Sequence, residues 1–239
     1  MSELTVFTFS GDWGLPSTGP FALKLIKWLE LAGIPYRQAI ENSPGKGPKG
    51  KNPWIEFDGE RIGDTEIIIE LLARRSGFNI EAALSPEQRA LSHAVRRMLE
   101  EHFHQVLEWE LFVHPNGAAY IGELAAKMVP KPLSTMAASV FSGRFRRQLH
   151  ARGIARHSDE IIAAKGKTDV DAVEALLGEK LFLVADRPSM ADVSAYGLLM
   201  PMAKWPMRTP VADDIKRRPR LLAWLDRIAD AKAEQRLAA

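Results

Sequence analysis

The chain has 239 residues, 46% of them hydrophobic, so it can bury a sizeable core in one large domain or two small ones. Lys and Arg (32) nearly balance Asp and Glu (30), and the net charge of +2 lacks the basic excess expected of a nucleic-acid binder. Cysteine is absent, which excludes disulfides, thiolate metal ligands and a protein thiol as nucleophile. The residues after Met1 lack the pattern of a signal peptide, and no apolar run is long enough to span a bilayer. We therefore expect a cytoplasmic protein without a membrane span.

The first third of the chain alternates between strand and helix patterns. Leu4 to Phe9 is rich in β-forming residues, an apolar helical period runs from Phe21 to Ala32, and Tyr36 to Ile40 has the pattern of a second strand. The segment from Glu41 to Gly50 is rich in Pro, Gly and Lys, which predicts a loop or a poor helix. A β-α-β unit therefore precedes the next motif.

That motif is a predicted hairpin flanked by two dipeptides, Asn52-Pro53 before it and Asp64-Thr65 after it. Asn52-Pro53 precedes the first strand, Asp58-Gly59 is a strong tight-turn signal, and Asp64-Thr65 provides a cap for the helix that follows. The arrangement places a strand edge beside a helix end with free N–H groups, which can bind a small anionic peptide. A purely structural hairpin followed by an ordinary helix cap is the alternative interpretation.

Strand patterns become scarce after Leu84, and helical patterns follow. Ser85 to Gln88 has the sequence of a capping box with Pro at the first helical position, and Ser189 to Asp192 is a second capping box. The first box opens a long helix with an expected stripe at Leu91, Val95, Met98, His102 and Val106. Further helices are predicted at Ala137–Gln148, Asp159–Leu177, Ala191–Met200 and Pro219–Arg236. We therefore predict an α/β domain at 1–76 and an all-α domain at 86–239.

These motifs resemble those of the glutathione transferase superfamily. In that family an X-Pro pair with a cis proline precedes the hairpin, like Asn52-Pro53, and an acidic residue followed by Ser or Thr starts the next helix, like Asp64-Thr65. Segments 149–158, 176–182 and 186–189 are similar to its failed-axon-connections and metaxin-like branch, as are 19–24 and 64–72. The resemblance covers nearly the whole chain. It implies an N-terminal thioredoxin-like domain followed by a C-terminal all-α glutathione-transferase-like helical domain.

The resemblance also implies a site for glutathione, which serves as a substrate. The Asn52 backbone would pair with the cysteinyl part, and Pro53 would shape that edge. Asp64 and Thr65 would receive the γ-glutamyl end. Lys51 or Lys49 is expected at the glycyl carboxylate, and Trp13 is expected as a wall of the site or as a surface aromatic.

Glutathione transfer requires a thiolate near neutral pH, and lowering the thiol pKa from about 8.5 by two units takes about 2.7 kcal/mol. A hydroxyl donor and a helix N-terminus can supply much of this stabilisation. The resemblance implies a Tyr, Ser or Cys donor near the start of the first helix, but Gly19 occupies that position. Ser17, Thr18 and Ser10 are the candidate donors, with helix capping as the alternative role of Ser17 or Thr18.

Two other groups of charged residues have patterns that can form a site. Glu101, His104 and Glu108 share one helix face and resemble half of a carboxylate–histidine metal centre. The sequence shows no second half, so we expect no metal. The basic cluster Arg144, Arg146 and Arg147 is interpreted as a solvated helix face.

We predict conjugation of glutathione to a small hydrophobic electrophile, with the bound thiolate as nucleophile. A noncatalytic glutathione- or protein-binding module on the same scaffold is the alternative, because Gly19 lacks a side-chain donor. A homodimer is expected from the resemblance alone.

Overall fold

A computed structural model describes residues 3–128 and 133–233 of the chain. The strands β1 (Thr5–Thr8), β2 (Arg37–Ile40), β3 (Trp54–Phe57) and β4 (Glu60–Gly63) form one sheet in the order β2-β1-β3-β4. β1 and β2 are parallel, whereas β3 is antiparallel to both β1 and β4. Helix α1 (Pro20–Ala32) connects β1 to β2, and α2 (Thr65–Ser76) follows β4. A short 3-10 turn, Pro44–Lys46, lies in the segment predicted as a loop or a poor helix.

The rest of the described chain is helical. The helices are α3 (Pro86–Arg97), α4 (His104–Phe112), α5 (Pro115–Met128), α6 (Leu133–Ala151), α7 (Asp159–Leu177), α8 (Met190–Lys204), α9 (Pro210–Ile215) and α10 (Pro219–Asp230). The architecture confirms the predicted fold class, a thioredoxin-like sheet domain followed by an all-α domain. Helix α5 is an addition to the predicted set. The predicted last helix ends at Asp230, and its expected final residues, 234–236, lie outside the described residues.

Local capping explains several helix boundaries. Both predicted capping boxes are present: the Ser85 side chain accepts from the Gln88 N–H, and the Gln88 side chain accepts from the Ser85 N–H. Asp192 likewise accepts from the N–H and the hydroxyl of Ser189. Gly33, in the left-handed conformation with φ 65°, ends α1. In the described residues, the structure contains no helix long and apolar enough to span a bilayer.

The long predicted helix contains a π-helical turn, Met98–Phe103, between α3 and α4. This wider turn delays the apolar period, so Leu99 and Phe103 are buried in place of Met98 and His102. Val95 and Val106 of the predicted stripe are buried as predicted. His102 is therefore not an interior histidine. It lies at the surface, where its Nδ1 is 2.6 Å from Oδ2 of Asp169 on α7.

The two domains pack through α1 and α8. Gly197 of α8 lies directly against α1, where an added Cβ atom would be 2.5 Å from the Pro20 carbonyl oxygen. Beside it, the buried Lys24 ammonium donates to Glu100 Oε1 at 2.6 Å, and the Ser194 hydroxyl donates to the same oxygen. This close, charge-paired contact fixes α1, and with it the start of the candidate site, against the helical domain.

Candidate functional site

The candidate site lies where β3 begins and β4 ends. Trp54 pairs with Gly63 in the antiparallel register, so Pro53 and Asp64 are the next residues outward at the same edge of the sheet. Phe7 of β1 pairs with Trp54 from the other side, so the end of β1 reaches this edge too. The Asn52–Pro53 peptide bond is cis. The β1–β3 register ends at Trp54, which leaves the Asn52 backbone beyond the paired strands.

Asp64 and Thr65 form the N-terminus of α2. Asp64 has a positive φ of 82°, and its Oδ1 accepts from the Glu66 N–H at 2.9 Å. Its carboxylate is exposed to solvent. Thr65 is buried, and its hydroxyl makes no hydrogen bond to any other residue described. This helix end therefore offers an acidic group, a hydroxyl and the unpaired N–H groups of the first turn to a ligand.

The Asn52 side chain adds a feature that the sequence did not suggest. Its Nδ2 donates to the Glu41 carbonyl oxygen at 2.6 Å, which holds the amide in place. Its Oδ1 is buried and has no hydrogen-bond partner within the described part of the chain. An unpaired buried acceptor costs free energy, and Asn52 Oδ1 is such an acceptor beside the Asn52–Pro53 bond.

The two lysines suggested for the glycyl carboxylate lie differently. The Lys49 side chain covers Gly63, because an added Cβ atom there would lie 3.5 Å from Lys49 Cγ. Lys51 is exposed, and its charge acts on His104 and Glu108 of α4 in the facing domain. Of the two lysines, Lys51 is therefore the one whose charge reaches the helical domain.

The structure separates the three hydroxyl candidates. Ser17 is completely buried, and its Oγ accepts from the Gly19 N–H at 3.2 Å in a local turn just before α1. The N-cap of α1 has no side-chain cap hydrogen bond, so Ser17 does not cap this helix, and its burial shields the hydroxyl from a ligand. The Thr18 N–H donates to the Ser10 carbonyl oxygen at 3.1 Å, which places these two residues together between β1 and α1. Ser10 is exposed and Thr18 half-buried. Ser10 and Thr18 remain as accessible donors.

Gly19 is the N-cap residue of α1 and carries no side chain to stabilise a thiolate. A Cβ atom added at this position would lie 3.1 Å from Phe9 Cδ2 and 3.6 Å from Ser17 Oγ. A Cβ atom there requires a slight movement of the Phe9 ring.

Trp13 contacts the helical domain. Its Nε1–H donates to the Tyr120 hydroxyl of α5 at 2.9 Å, and that hydroxyl donates to Asp12 Oδ2 at 3.0 Å. Its ring also packs edge-on against Trp205, with centroids 6.2 Å apart. Trp13 therefore connects the loop between β1 and α1 to α5, and the sequence alone did not predict this contact.

Three residues of the helical domain form a polar group that we call the cleft cluster: His104, Glu108 and Arg152. The Arg152 guanidinium donates to Glu108 Oε2 at 2.9 Å, and Glu108 Oε1 is 3.8 Å from His104 Nε2. The His104 ring packs edge-on against Phe21 in the first turn of α1, with centroids 4.9 Å apart. The cleft cluster therefore faces the helix that begins at the candidate site.

Burial controls the protonation of the cleft cluster. It lowers the pKa of His104 to about 4, and the charges of Arg152 and Lys51 act in the same direction. Burial raises the pKa of Glu108, against the opposing effect of Arg152 and Lys51. Glu101 is exposed and lies 3.6 Å from Arg97, so the three residues of the hypothetical metal half-site do not converge. Across residues 3–128 and 133–233, no group of three or more potential ligands could hold a metal ion.

Comparison with protein families gives two matches. Residues 20–117 match the family described as "Glutathione S-transferase N-terminal domain". Residues 166–228 match the family described as "Glutathione S-transferase, C-terminal domain".

Among characterised relatives, the isoprene-epoxide–glutathione S-transferase of Rhodococcus sp. (strain AD45) is 27% identical, over 94% of this chain and 97% of that protein. Failed axon connections of Drosophila melanogaster is 30% identical over 81% of this chain, which spans 49% of that protein's length. Metaxin-1 of Bos taurus is 29% identical over 86% of this chain and 68% of that protein.

Solved structures show the same fold. A β-etherase from Sphingobium sp. strain SYK-6 superposes with a TM-score of 0.64 at 21% identity, covering 95% of both chains. A human theta-class glutathione transferase, in complex with the glutathione conjugate of 1-menaphthyl sulfate, gives a TM-score of 0.58 at 15% identity. That match covers 95% of this chain and 80% of the human chain.

Proposed function

The chain belongs to the glutathione transferase superfamily, in its failed-axon-connections and metaxin-like branch, and from this premise we propose that it conjugates glutathione to a small hydrophobic electrophile. One observation carries the proposal. The pairing of Trp54 with Gly63 places Asn52–Pro53 and Asp64–Thr65 side by side, at the edge reached by the end of β1.

The chemistry of this edge complements a γ-glutamyl tripeptide. The Asp64 carboxylate suits the ammonium group, while the Thr65 hydroxyl and the first N–H groups of α2 suit the γ-glutamyl carboxylate. The Asn52 backbone can pair with the cysteinyl unit, and its unpartnered Oδ1 can accept a ligand N–H group. We propose Lys51, which is exposed, as the partner of the glycyl carboxylate.

The thiol is activated near the start of α1. A hydrogen bond from a hydroxyl to a thiolate contributes about 1.5–3 kcal/mol, and a helix N-terminus adds about 0.3–1 kcal/mol. Together these approach the stabilisation needed for a thiolate at neutral pH, with Ser10 or Thr18 as the donor. The sulfur then attacks an electrophilic carbon. We propose an epoxide as the electrophile, because the Rhodococcus relative is named for one. Its C–O bond breaks, and the resulting alkoxide takes a proton from solvent.

Calorimetry with glutathione and an assay with a small 1,2-epoxide test the two halves of the proposal. Thr65→Ala should weaken glutathione binding about tenfold, because one hydrogen bond to a carboxylate is lost. Thr168→Ala, which removes an exposed hydroxyl on α7, should leave binding unchanged. Thr18→Ala or Ser10→Ala should reduce turnover without reducing binding. Failure of the unmodified protein to bind millimolar glutathione would overturn the proposal.

The second candidate function is a noncatalytic binding module, and Gly19 at the expected donor position favours it. As a glutathione-binding module the protein would bind glutathione without turnover of any epoxide, and as a protein-binding module it would show neither binding nor turnover. Normal turnover that depends on Thr18 or Ser10 would exclude it.

We also propose a cytoplasmic homodimer. Light scattering should then give twice the chain mass of 26.6 kDa, and a fluorescent fusion should fill the cytoplasm.

A further inference from the structure

Helices α5 and α6 form a hairpin that lies largely outside both family matches, which end at residue 117 and resume at 166. Its sequence has an unusual charge distribution. Residues 124–158 contain no Asp or Glu, whereas the whole chain has a net charge of only +2. The same segment contains the basic residues Lys127, Lys131, Arg144, Arg146, Arg147, Arg152 and Arg156. Residues 115–151, which contain both helices, carry Lys127, Lys131, Arg144, Arg146 and Arg147 against the single acidic residue Glu123, so the hairpin is a basic element on a nearly neutral protein.

The exposed face of α6 combines this charge with apolar side chains. Met136, Val140, Arg144 and Arg147 follow spacings of four, four and three residues, so they form one continuous line, here called the α6 stripe. Met136 and Val140 are 61% and 64% exposed, and both arginines are exposed. The stripe is apolar towards the start of α6 and basic towards its end.

The opposite side of α6 is firmly anchored. Phe145 stacks on Phe112 of α4 with ring centroids 4.0 Å apart, and Leu149 is fully buried. Packing on this side keeps the α6 stripe facing outwards. Adjacent to the stripe, the Phe141 ring is 40% exposed. Scattered exposed apolar residues are ordinary, but a line of them continuing into arginines on one helix face indicates an interaction surface.

We propose that the α6 stripe docks this protein reversibly on an anionic lipid surface. The two ends of the stripe require different surroundings: Met136 and Val140 gain by leaving water, whereas Arg144 and Arg147 gain from negative charge. A bilayer interface provides acyl chains and anionic headgroups within the length of one amphipathic helix. Nucleic acid satisfies the arginines alone. The absence of acidic residues from 124–158 removes repulsion from such a surface.

Vesicle flotation tests the proposal with the full-length chain. Vesicles of phosphatidylcholine with about one-third phosphatidylserine should bind the protein at low salt, and pure phosphatidylcholine vesicles should bind it much more weakly. Arg144→Gln with Arg147→Gln should weaken partitioning about thirtyfold, about fivefold per arginine. Met136→Ser with Val140→Ser should weaken it at least about tenfold by removing apolar burial.

Two double variants serve as matched controls. Arg74→Gln with Arg75→Gln makes the same charge change on exposed residues of α2, and Ile161→Ser with Leu181→Ser removes two exposed apolar side chains elsewhere. Both should bind vesicles like the unmodified protein.

Several outcomes would overturn the proposal. They are equal binding to neutral and anionic vesicles, binding that 0.5 M salt leaves unchanged, and equal losses in the control and α6 variants. Self-association that disappears in the Met136 and Val140 variant without vesicles would instead assign the stripe to a second copy of the chain. Salt titration of the unmodified protein needs no variant, so the test does not depend on how the variants fold.

Discussion

Acidification should destabilise the protein through His104, because its half-buried ring packs against Phe21 and is kept neutral by desolvation and by the charge of Arg152. The folded-state pKa of about 4 lies below the ordinary value of 6.5. Between these values the unfolded chain binds more protons than the folded one, so stability is complete above pH 6.5 and falls as the pH approaches 4. For this one group the loss between pH 7 and pH 4.5 is about 2.5 kcal/mol.

Urea unfolding at a series of pH values measures this effect. Buried carboxyl groups also titrate in this range, so the useful quantity is the difference between the unmodified protein and His104→Gln. The variant should be less stable at pH 7, because it loses the ring contact with Phe21, but it should lose about 2.5 kcal/mol less on acidification. His93→Gln, at an exposed position on α3, should follow the unmodified protein. Identical acid sensitivity in His104→Gln and the unmodified protein would refute the reasoning.

Three further substitutions test the site and the packing around it. Gly19→Ser should restore a donor beside the bound sulfur and lower the pKa of the glutathione thiol by about one unit. Thiolate absorbance against pH measures this pKa. An unchanged thiol pKa would show that position 19 does not face the sulfur. Glu110→Ala should destabilise the protein by about 3 kcal/mol in urea, because it removes the buried acceptor for the Thr209 hydroxyl and the Val211 and Ala212 N–H groups. Gly197→Ala should cost about 1–3 kcal/mol by forcing α8 away from α1, whereas Gly45→Ala, with open space around it, should be nearly neutral.

The sequence predicted the features of the fold that depend on neighbouring residues. The capping boxes at Ser85 and Ser189 and the end of α1 at Gly33 each require only a few adjacent side chains. Helix α5 was missed because Gly117 and Gly122 weaken its helical pattern. Gly117 occurs in this helix because of its packing against α4: an added Cβ atom would lie 2.0 Å from the Glu110 carbonyl oxygen.

The same distinction applies to the candidate site. The Asn52–Pro53 and Asp64–Thr65 pairs were predictable because one short hairpin brings them together. The contact between Trp13 and Tyr120 was not, because 107 residues separate the two positions. The hydrogen bond between Glu108 and Arg152 joins positions 44 residues apart. The burial of Ser17 likewise depends on packing, which its immediate neighbours do not determine.

The length of the β3–β4 hairpin also sets the spacing of residues at the candidate site. Its length alone determines which residue beyond β4 stands across from Pro53, and side chains alternate between the two sheet faces. Deleting one residue at Asp58-Gly59 would turn Ile55 or Ile62 towards the wrong face and bring a different residue opposite Pro53. The turn should therefore be intolerant of a changed residue count, and also of a side chain at Gly59, where φ is 79°.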